Sequence, residues 1–497
     1  MEKNKIYIED IIEQRAVQFG TSGVRGLVTD MNDEVCYAYT AAFIQYMEET
    51  GELDSGDVIA IGGDLRPSTD SITGAVVKAI TDRGYVPLNC GSIPTPALAN
   101  YGLVKEVPTV MVTGSHIPVE RNGIKYTKKN GEILKDDEAG IRRQRVVLPK
   151  GLFDTRGMLP EITEPLAGDD EAADLYAERY IRFFQKNCFV GKRLGVYQHS
   201  AVGRDLMAAI YSRLGADVEL LGFSDTFIPV DTEAMRQEDM ELARRWSSEY
   251  HFDAIVSTDG DGDRPLISDE NGKWLRGDIA GILCAGYLDA DAVVAPVSCN
   301  TALERSGLFH HVFRTRIGSP YVIEGMRHAR ETGARLVVGY EANGGFLLGS
   351  DFNDGEKILQ ALPTRDAIIL HIAILLLSIE KSKTISELVA ELPERYTYSN
   401  RLKEFTGEKS AEIIAECSTG DEATDRETVE QIFGRHFGKV LDLDTTDGLR
   451  ITFDTDEIVH LRPSGNAPEF RCYTEAAEEK RAETMNNICM DIMETWR

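Results

Sequence analysis

The sequence predicts an α/β protein built from three similar α/β segments with mixed, largely parallel sheets, followed by a smaller α+β segment. Three observations carry that expectation. Short apolar, β-branched runs alternate with patterns of helical period through residue 385. In each of the first three segments a strand ends in a polar, glycine-containing loop, the grammar of βαβ units. After about residue 385 the order changes to a charged helical region and then closely spaced strands.

The first segment, residues 1–162, opens on the glycine-rich run Phe19-Gly20-Thr21-Ser22-Gly23-Val24-Arg25-Gly26. Apolar spacing predicts a helix over 35–47 and a strand over 58–61 that ends in Gly62-Gly63-Asp64-Leu65-Arg66-Pro67-Ser68. A second helix over 72–83 leads on to a buried strand at 110–112, which runs into Thr113-Gly114-Ser115-His116-Ile117-Pro118. Gly114 and Pro118 are turn residues, so Ser115 is expected on a tight, exposed loop at a strand end. The second segment, 163–276, begins in acidic, loop-like sequence. A helix ending near Phe184, a strand over 194–197, the polar turn Gln198-His199-Ser200 and a further helix follow. A strand over 254–257 then enters Thr258-Asp259-Gly260-Asp261-Gly262-Asp263-Arg264-Pro265.

The third segment, 277–385, has strands over 292–297 and 336–339, the latter ending in Tyr340-Glu341-Ala342-Asn343-Gly344-Gly345. Its apolar run at 367–377, interrupted by His371, reads as a buried helix with Thr364 as N-cap and Asp366 in the first turn. The run is too short to span a bilayer. The fourth segment, 386–497, has a charged helical region over 410–437, strands over 449–453, 458–461 and 470–473, and a terminal helix. Its last strand is reached through Arg462-Pro463-Ser464-Gly465-Asn466-Ala467-Pro468.

Composition sets bounds on function. At 497 residues the chain is long enough for three or four domains at about 150 residues each. A net charge of -28 argues against nucleic acid as a partner, because the phosphate backbone would be repelled. Small anions need only a local cluster of arginines and lysines. Eight scattered cysteines without a Cys-x-x-Cys pair point to reduced thiols, and the polar N-terminus to no signal peptide. A cytoplasmic protein with no membrane partner is expected; oligomeric state leaves no mark in the sequence.

Asp259, Asp261 and Asp263 alternate with glycines directly after a strand, so three carboxylates can converge on one point. Hard oxygen ligands suit Mg²⁺ or Ca²⁺ rather than zinc. An EF-hand is excluded: Glu270 falls at its twelfth position, but Arg264 stands where its glycine belongs and the preceding segment is a strand. A serine held rigidly on a strand-end loop can be a nucleophile or an ordinary loop residue, and the chain lacks the Gly-x-Ser-x-Gly elbow of hydrolases. His116 invites a Ser–His pairing, although neighbours in a turn rarely point their side chains at one another. Lys125 could have its pKa lowered beside a metal and move protons, or simply be solvated. Arg462, Ser464, Gly465 and Asn466 offer charge, hydroxyl, amide and backbone N–H to a phosphate; a plain hairpin fits equally. Glu341 and Asn343, at a strand end where doubly wound sheets hold ligands, could read sugar hydroxyls or form a turn.

Taken in order, TSGVRG, TGSHIP with its downstream lysine, DGDGDR, EANGG and RPSGNAPEFR closely resemble the signatures of the α-D-phosphohexomutases, the phosphomannomutase and phosphoglucomutase family. The resemblance implies four domains around a central cleft, the last the most mobile. It implies that Ser115 is a phosphoserine and that Asp259, Asp261 and Asp263 hold one Mg²⁺ with its phosphate. Arg25 and Arg264 would flank the reacting phosphoryl group, with Lys125 and His116 as catalytic neighbours. Glu341 and Asn343 would bind sugar hydroxyls. Arg462, Ser464, Gly465 and Asn466 would hold the phosphate that is not reacting, and Gly318 and Ser319 would also contact substrate. The implied reaction moves phosphoryl between the 1- and 6-positions of a hexose phosphate, through a hexose 1,6-bisphosphate that also serves as activator.

The pattern has departures. Asn343 stands where serine is usual, Gly345 and Ser319 where members carry histidine, and Asn466-Ala467 where threonine-glutamate is common. These bear on substrate preference. Mannose 1-phosphate and mannose 6-phosphate are the expected pair, glucose phosphates or dual specificity the alternative, glucosamine phosphates less expected. A non-catalytic sugar-phosphate-binding relative should have lost a serine, aspartate or lysine, and none is missing.

Overall fold

The computed structural model describes residues 5–20, 23–160, 168–464 and 468–497. Its first three sheets share one connection pattern. In the second sheet the strands lie in the order Asp217–Phe223, Arg193–His199, Ala254–Thr258, Pro265–Ile267, the first three parallel and the last antiparallel. The third sheet repeats it with His311–Thr315, Ala292–Pro296, Val337–Tyr340 and Phe346–Leu348. The first uses Val86–Ser92, Val58–Gly63, Thr109–Val112 and Arg121–Lys128, then continues antiparallel to Val24–Leu27 and Gln18–Phe19. The Ser115, Asp259 and Glu341 loops therefore occupy the same place in three sheets. Each leaves the carboxyl end of an inner parallel strand and returns at once as an antiparallel neighbour, so both ends are clamped by ladder hydrogen bonds.

Because these inner strands are covered on both faces, they read as continuous apolar runs: Val110, Met111 and Val112 are buried without alternation. The fourth sheet is wholly antiparallel, in the order Tyr396–Lys403, Glu469–Ala476, Ile458–Pro463, Leu449–Phe453, Val440–Asp444.

One apolar core joins the second and third sheets through the helices Glu171–Phe183, Gly277–Tyr287 and Ala367–Lys381, and reaches Ala60, Leu98 and Met111 on one face of the first sheet. The other face of that sheet packs around Ile44, Ile61 and Val112. The fourth sheet has a core of its own, from Leu402 to Met493. Among the described residues no helix is long and apolar enough to cross a membrane.

Two local expectations are corrected, and one helix has no counterpart in the sequence pattern. The helix Ala367–Lys381 is capped by Asp366, whose carboxylate accepts from the Ile368 N–H at 3.0 Å; the Thr364 hydroxyl donates to Glu132 instead. The helical region over 410–437 divides into Gly407–Glu416, Glu422–Val429 and a π turn Glu430–Gly434 leading into Arg435–Phe437. Asp425 takes the N–H groups of Thr419 and Gly420 and stabilises the break. The helix Thr95–Lys105 went unread because it is buried nearly all round and shows no polar stripe.

Candidate active site

Ser115 is fully buried, not exposed as expected. The aspartate loop of the second sheet closes over it: a Cβ on Gly260 would stand 2.8 Å from the Ser115 carbonyl oxygen. Ser115 has a φ of 54°, a left-handed conformation that costs a non-glycine residue of order 1–3 kcal/mol. Neighbouring groups enforce it. The Thr113 hydroxyl accepts from the Ser115 N–H at 2.8 Å and donates to Asp64 at 2.7 Å. Arg66 donates to the carbonyls of Ser115 at 2.9 Å, Ile117 at 2.5 Å, Pro118 at 2.8 Å and Arg121 at 2.9 Å, and its Nε donates to Asp64 at 3.2 Å. The guanidinium carbon lies 2.6 Å from where a Cβ on residue 114 would sit, which is why that position is glycine. Asp64 and Arg66, assigned no role from sequence, are thus the scaffold of the serine loop. Their signal was a pair of opposite charges at a buried strand end.

Ser115 Oγ donates to Asp259 Oδ2 at 2.6 Å and lies 3.3 Å from His116 Nδ1. The two neighbours do meet, because the positive φ at Ser115 turns its side chain toward that of its successor. Burial, then Arg264 and Arg25, hold the His116 imidazole well below the usual histidine range.

Asp259, Asp261 and Asp263 are buried, each with a carboxylate oxygen within 4.8 Å of the others. Burial and the two neighbouring carboxylates push Asp259 well above the carboxylate range. Lys125 Nζ lies 2.6 Å from Asp261 Oδ2 and 2.7 Å from Asp263 Oδ2. Burial opposes the charge on Lys125, but Asp261 and Asp263 outweigh it and raise its pKa. The carboxylates around it favour the ammonium, while the lowered pKa expected of Lys125 is for a site with its metal bound. Burial likewise opposes ionisation of Asp263, and Arg365, Lys125 and Arg264 outweigh it, holding that carboxyl below its ordinary value. Asp261 and Asp263 each keep one buried oxygen, Oδ1, without a hydrogen-bond partner among the described residues. Two orphaned carboxylate oxygens beside a third carboxylate are a donor set that fits a hard divalent cation.

Cations surround it. Arg264 Nε is 3.9 Å from Asp259 and from Asp263, buried and without a hydrogen-bond partner among the described residues. Half-buried Arg25 has its pKa lowered to about 10 by burial, then by Arg264 and Arg365.

In the third sheet's loop, Asn343 Oδ1 accepts the Gly345 N–H at 2.9 Å, and the Asn343 carbonyl accepts the Thr232 hydroxyl at 2.7 Å. Buried Glu341 accepts from Arg365 Nη1 at 3.2 Å. Arg365 also donates to Asp263, so it bridges the two loops. Its only mark in the sequence is a charge just before an apolar run. Gly318, with a φ of 128°, precedes the helix Ser319–Glu331, and the buried Ser319 hydroxyl donates to Glu132 at 2.7 Å.

Arg462 lies near the end of Ile458–Pro463, and the Ser464 N–H donates to the Glu469 carbonyl at 2.9 Å to close the hairpin. Gly465 and Asn466 lie outside the described residues. Arg462 donates to Asp447 at 2.9 Å, and Asp447 also takes the Ile317 N–H at 2.9 Å. With Gln18, Lys135 and Tyr321, Arg462 lines a cleft of about 360 Å³ between the first, third and fourth sheets. Arg471 faces Arg462 across the ladder, a like-charged pair that an anion would relieve. Half-buried Glu233 is pushed up by burial and Asp231 against the pull of Arg264 and Arg471, so the fourth sheet and the aspartate loop share an acidic neighbour.

Models of the phosphoglucomutase/phosphomannomutase family match the chain twice, alpha/beta/alpha domain I over residues 16–145 and domain III over residues 276–396. The chain is 46% identical over 480 residues to a phosphomannomutase of Salmonella muenchen, covering 97% of this chain and 96% of the relative. It is 41% identical over 467 residues to a phosphomannomutase of Sinorhizobium fredii, covering 94% and 96%. Its backbone is similar to the crystal structure of a phosphoglucomutase/phosphomannomutase family protein from Burkholderia thailandensis, with a TM-score of 0.71 at 18% identity over 96% of this chain and 97% of that one. A strand-end serine against a buried aspartate triad, in a chain with such relatives along nearly its whole length, leads to one conclusion: the protein belongs to the α-D-phosphohexomutase family.

Proposed function

We propose that the protein interconverts the 1- and 6-phosphates of a hexose, mannose first, by passing a phosphoryl group through Ser115. The observation that carries this reading is Ser115 Oγ at 2.6 Å from Asp259, within a buried triad that keeps two carboxylate oxygens unpaired among the described residues. As a phosphohexomutase the chain is an isomerase; the two phosphomannomutase relatives favour mannose.

Asp259, Asp261 and Asp263, with the phosphate on Ser115, would hold Mg²⁺, which when bound offsets the charge of the transferring phosphoryl group. The 6-hydroxyl of mannose 1-phosphate attacks the phosphorus of phosphorylated Ser115, and the P–Oγ bond breaks. His116, with Nδ1 at 3.3 Å from Oγ and its imidazole held neutral, would accept the hydroxyl proton, and Lys125, an ammonium among the aspartates, would donate one to the departing oxygen. Arg25 and Arg264 supply positive charge beside the reacting group. Glu341 and Asn343 face the sugar hydroxyls, and the Arg462–Asn466 loop grips the other phosphate. The 1,6-bisphosphate then turns over, and its 1-phosphate restores phosphorylated Ser115 as mannose 6-phosphate leaves. Hexose 1,6-bisphosphate primes the cycle. The eight free cysteines, all but Cys188 buried, suit a cytoplasmic enzyme.

The test is turnover of mannose 1-phosphate primed by bisphosphate. Chelation should stop it and Mg²⁺ restore it, and Ser115→Ala should reduce it to background. Full activity in that variant would sink the phosphoserine mechanism. A higher kcat/KM for glucosamine 1-phosphate than for the mannose and glucose esters would overturn the assignment of substrate.

A further inference from the structure

Arg365 is the largest fully buried side chain among the described residues, and the reaction above gives it no role. It lies between two loops: Nε and Nη2 donate to Asp263 Oδ2 at 3.1 Å and 2.7 Å, and Nη1 donates to Glu341 Oε2 at 3.2 Å. Its position is set from both sides. Next to it, Asp366 caps the helix Ala367–Lys381, accepts from the Tyr176 hydroxyl at 2.6 Å and from the Tyr180 hydroxyl, and donates its N–H to the Phe346 carbonyl at 2.8 Å. On the other side, a Cβ at Gly345 would stand 2.4 Å from Arg365 Cδ and 2.6 Å from its Cγ. The glycine that ends the Glu341 loop is therefore the seat of the arginine's stem.

Without this guanidinium, Glu341 and Asp263 would be two buried carboxylates facing a common gap, and among the described residues Glu341 would have no side-chain partner to fix its rotamer. A planar fork shared by two carboxylates is directional in a way a lysine is not. Arg365 engages Oε2 of Glu341, which leaves the Oε1 side for a ligand hydroxyl.

We propose that Arg365 is a positioning residue for sugar binding: it holds Glu341 at a fixed distance from the aspartate loop and acts through Glu341 rather than on phosphate. The proposal rests on the sugar-phosphate reading of the cleft.

The test uses the full-length Ser115→Ala protein without added metal and calorimetric binding of two probes, mannose 6-phosphate and inorganic phosphate. Arg365→Gln should weaken mannose 6-phosphate about tenfold, the scale of one charge-assisted hydrogen bond, and leave phosphate within about twofold. Arg365→Lys, which keeps the charge and loses the fork, should recover part of the loss and serves as the comparison if the glutamine variant does not fold. In a Glu341→Gln background the Arg365 substitutions should add little. Equal weakening of both probes, or the same loss with Glu341 already replaced, would overturn the proposal. Wild-type turnover separates the two readings. A wild type that fails to interconvert mannose phosphates refutes the mutase assignment, whereas an active wild type whose Arg365 variants bind mannose 6-phosphate normally refutes only the role of Arg365.

Discussion

A single methyl group would disturb the serine loop. At Gly114→Ala the new Cβ meets the Arg66 guanidinium at 2.6 Å, and Arg66 holds four carbonyls of that loop. Overpacking there should cost about 1–3 kcal/mol in denaturant unfolding and lower kcat sharply, because Ser115 would leave its left-handed conformation. Unchanged unfolding and kinetics would mean that Arg66 is not the clamp. His371 makes a second prediction on this scale. Its imidazole is buried against the Tyr211 hydroxyl, Nδ1 to Oη 2.7 Å, and burial lowers its pKa to about 3. An unfolded histidine titrates near 6.5. Between those values the unfolded chain binds a proton that the native state refuses, so stability falls as pH drops through that window. The slope is about 1.4 kcal/mol per pH unit for this one group. In His371→Asn, Tm should fall less steeply between pH 6 and pH 4; an identical slope would place the acid sensitivity elsewhere.

The helix Ala367–Lys381 does more than fill the core. Its cap, Asp366, takes two tyrosine hydroxyls from the helix Glu171–Phe183, and so ties the second and third sheets together at the point where Arg365 enters the site. Asp366→Ala removes the cap and leaves two buried hydroxyls unpaired. The expected loss is about 3–5 kcal/mol, read as a lower denaturation midpoint, with Asp366→Asn intermediate. A neutral result would mean that the tyrosines find other partners. The strand–loop–strand units of the first three sheets are equivalent elements, and each brings one chemical part: a serine, a carboxylate triad, a buried glutamate.

Across the whole molecule, the division of apolar cores separates the fourth sheet from the rest. Leu402 to Met493 form their own core, while the second and third sheets share one. The fourth sheet is attached through polar links: Glu475 to the Thr301 N–H at 3.0 Å, Arg305 to Asp456, and Asp447 to the Ile317 N–H. With an apolar core of its own and only a few polar links, of which the exposed Arg305–Asp456 pair contributes little, the fourth sheet should unfold and move as a unit. Phe453→Ala, deep in that core, should lower one calorimetric transition by about 3–5 kcal/mol and leave the transition of the shared core in place. A single transition that shifts as a whole would show that the sheets are coupled.

Much of this was legible in the sequence, where the physics is local. Glycines between aspartates, apolar runs ending in polar loops and the order of the motifs depend on neighbours a few residues apart. They determined the fold class, the aspartate triad and the candidate serine. What the tertiary structure decided involves groups far apart in the chain. Asp259, 144 residues on, pairs with Ser115 and helps to bury it. The charge of Lys125 depends on carboxylates 136 and 138 residues away. Arg66 and Arg365 carried only weak marks, a charge pair at a strand end and a charge before an apolar run, which are ordinary until their partners are known. Arg365 meets Asp263 across 102 residues. Sequence spacing set which groups each loop offers; burial and long-range charge decided which of them meet and in what ionisation state.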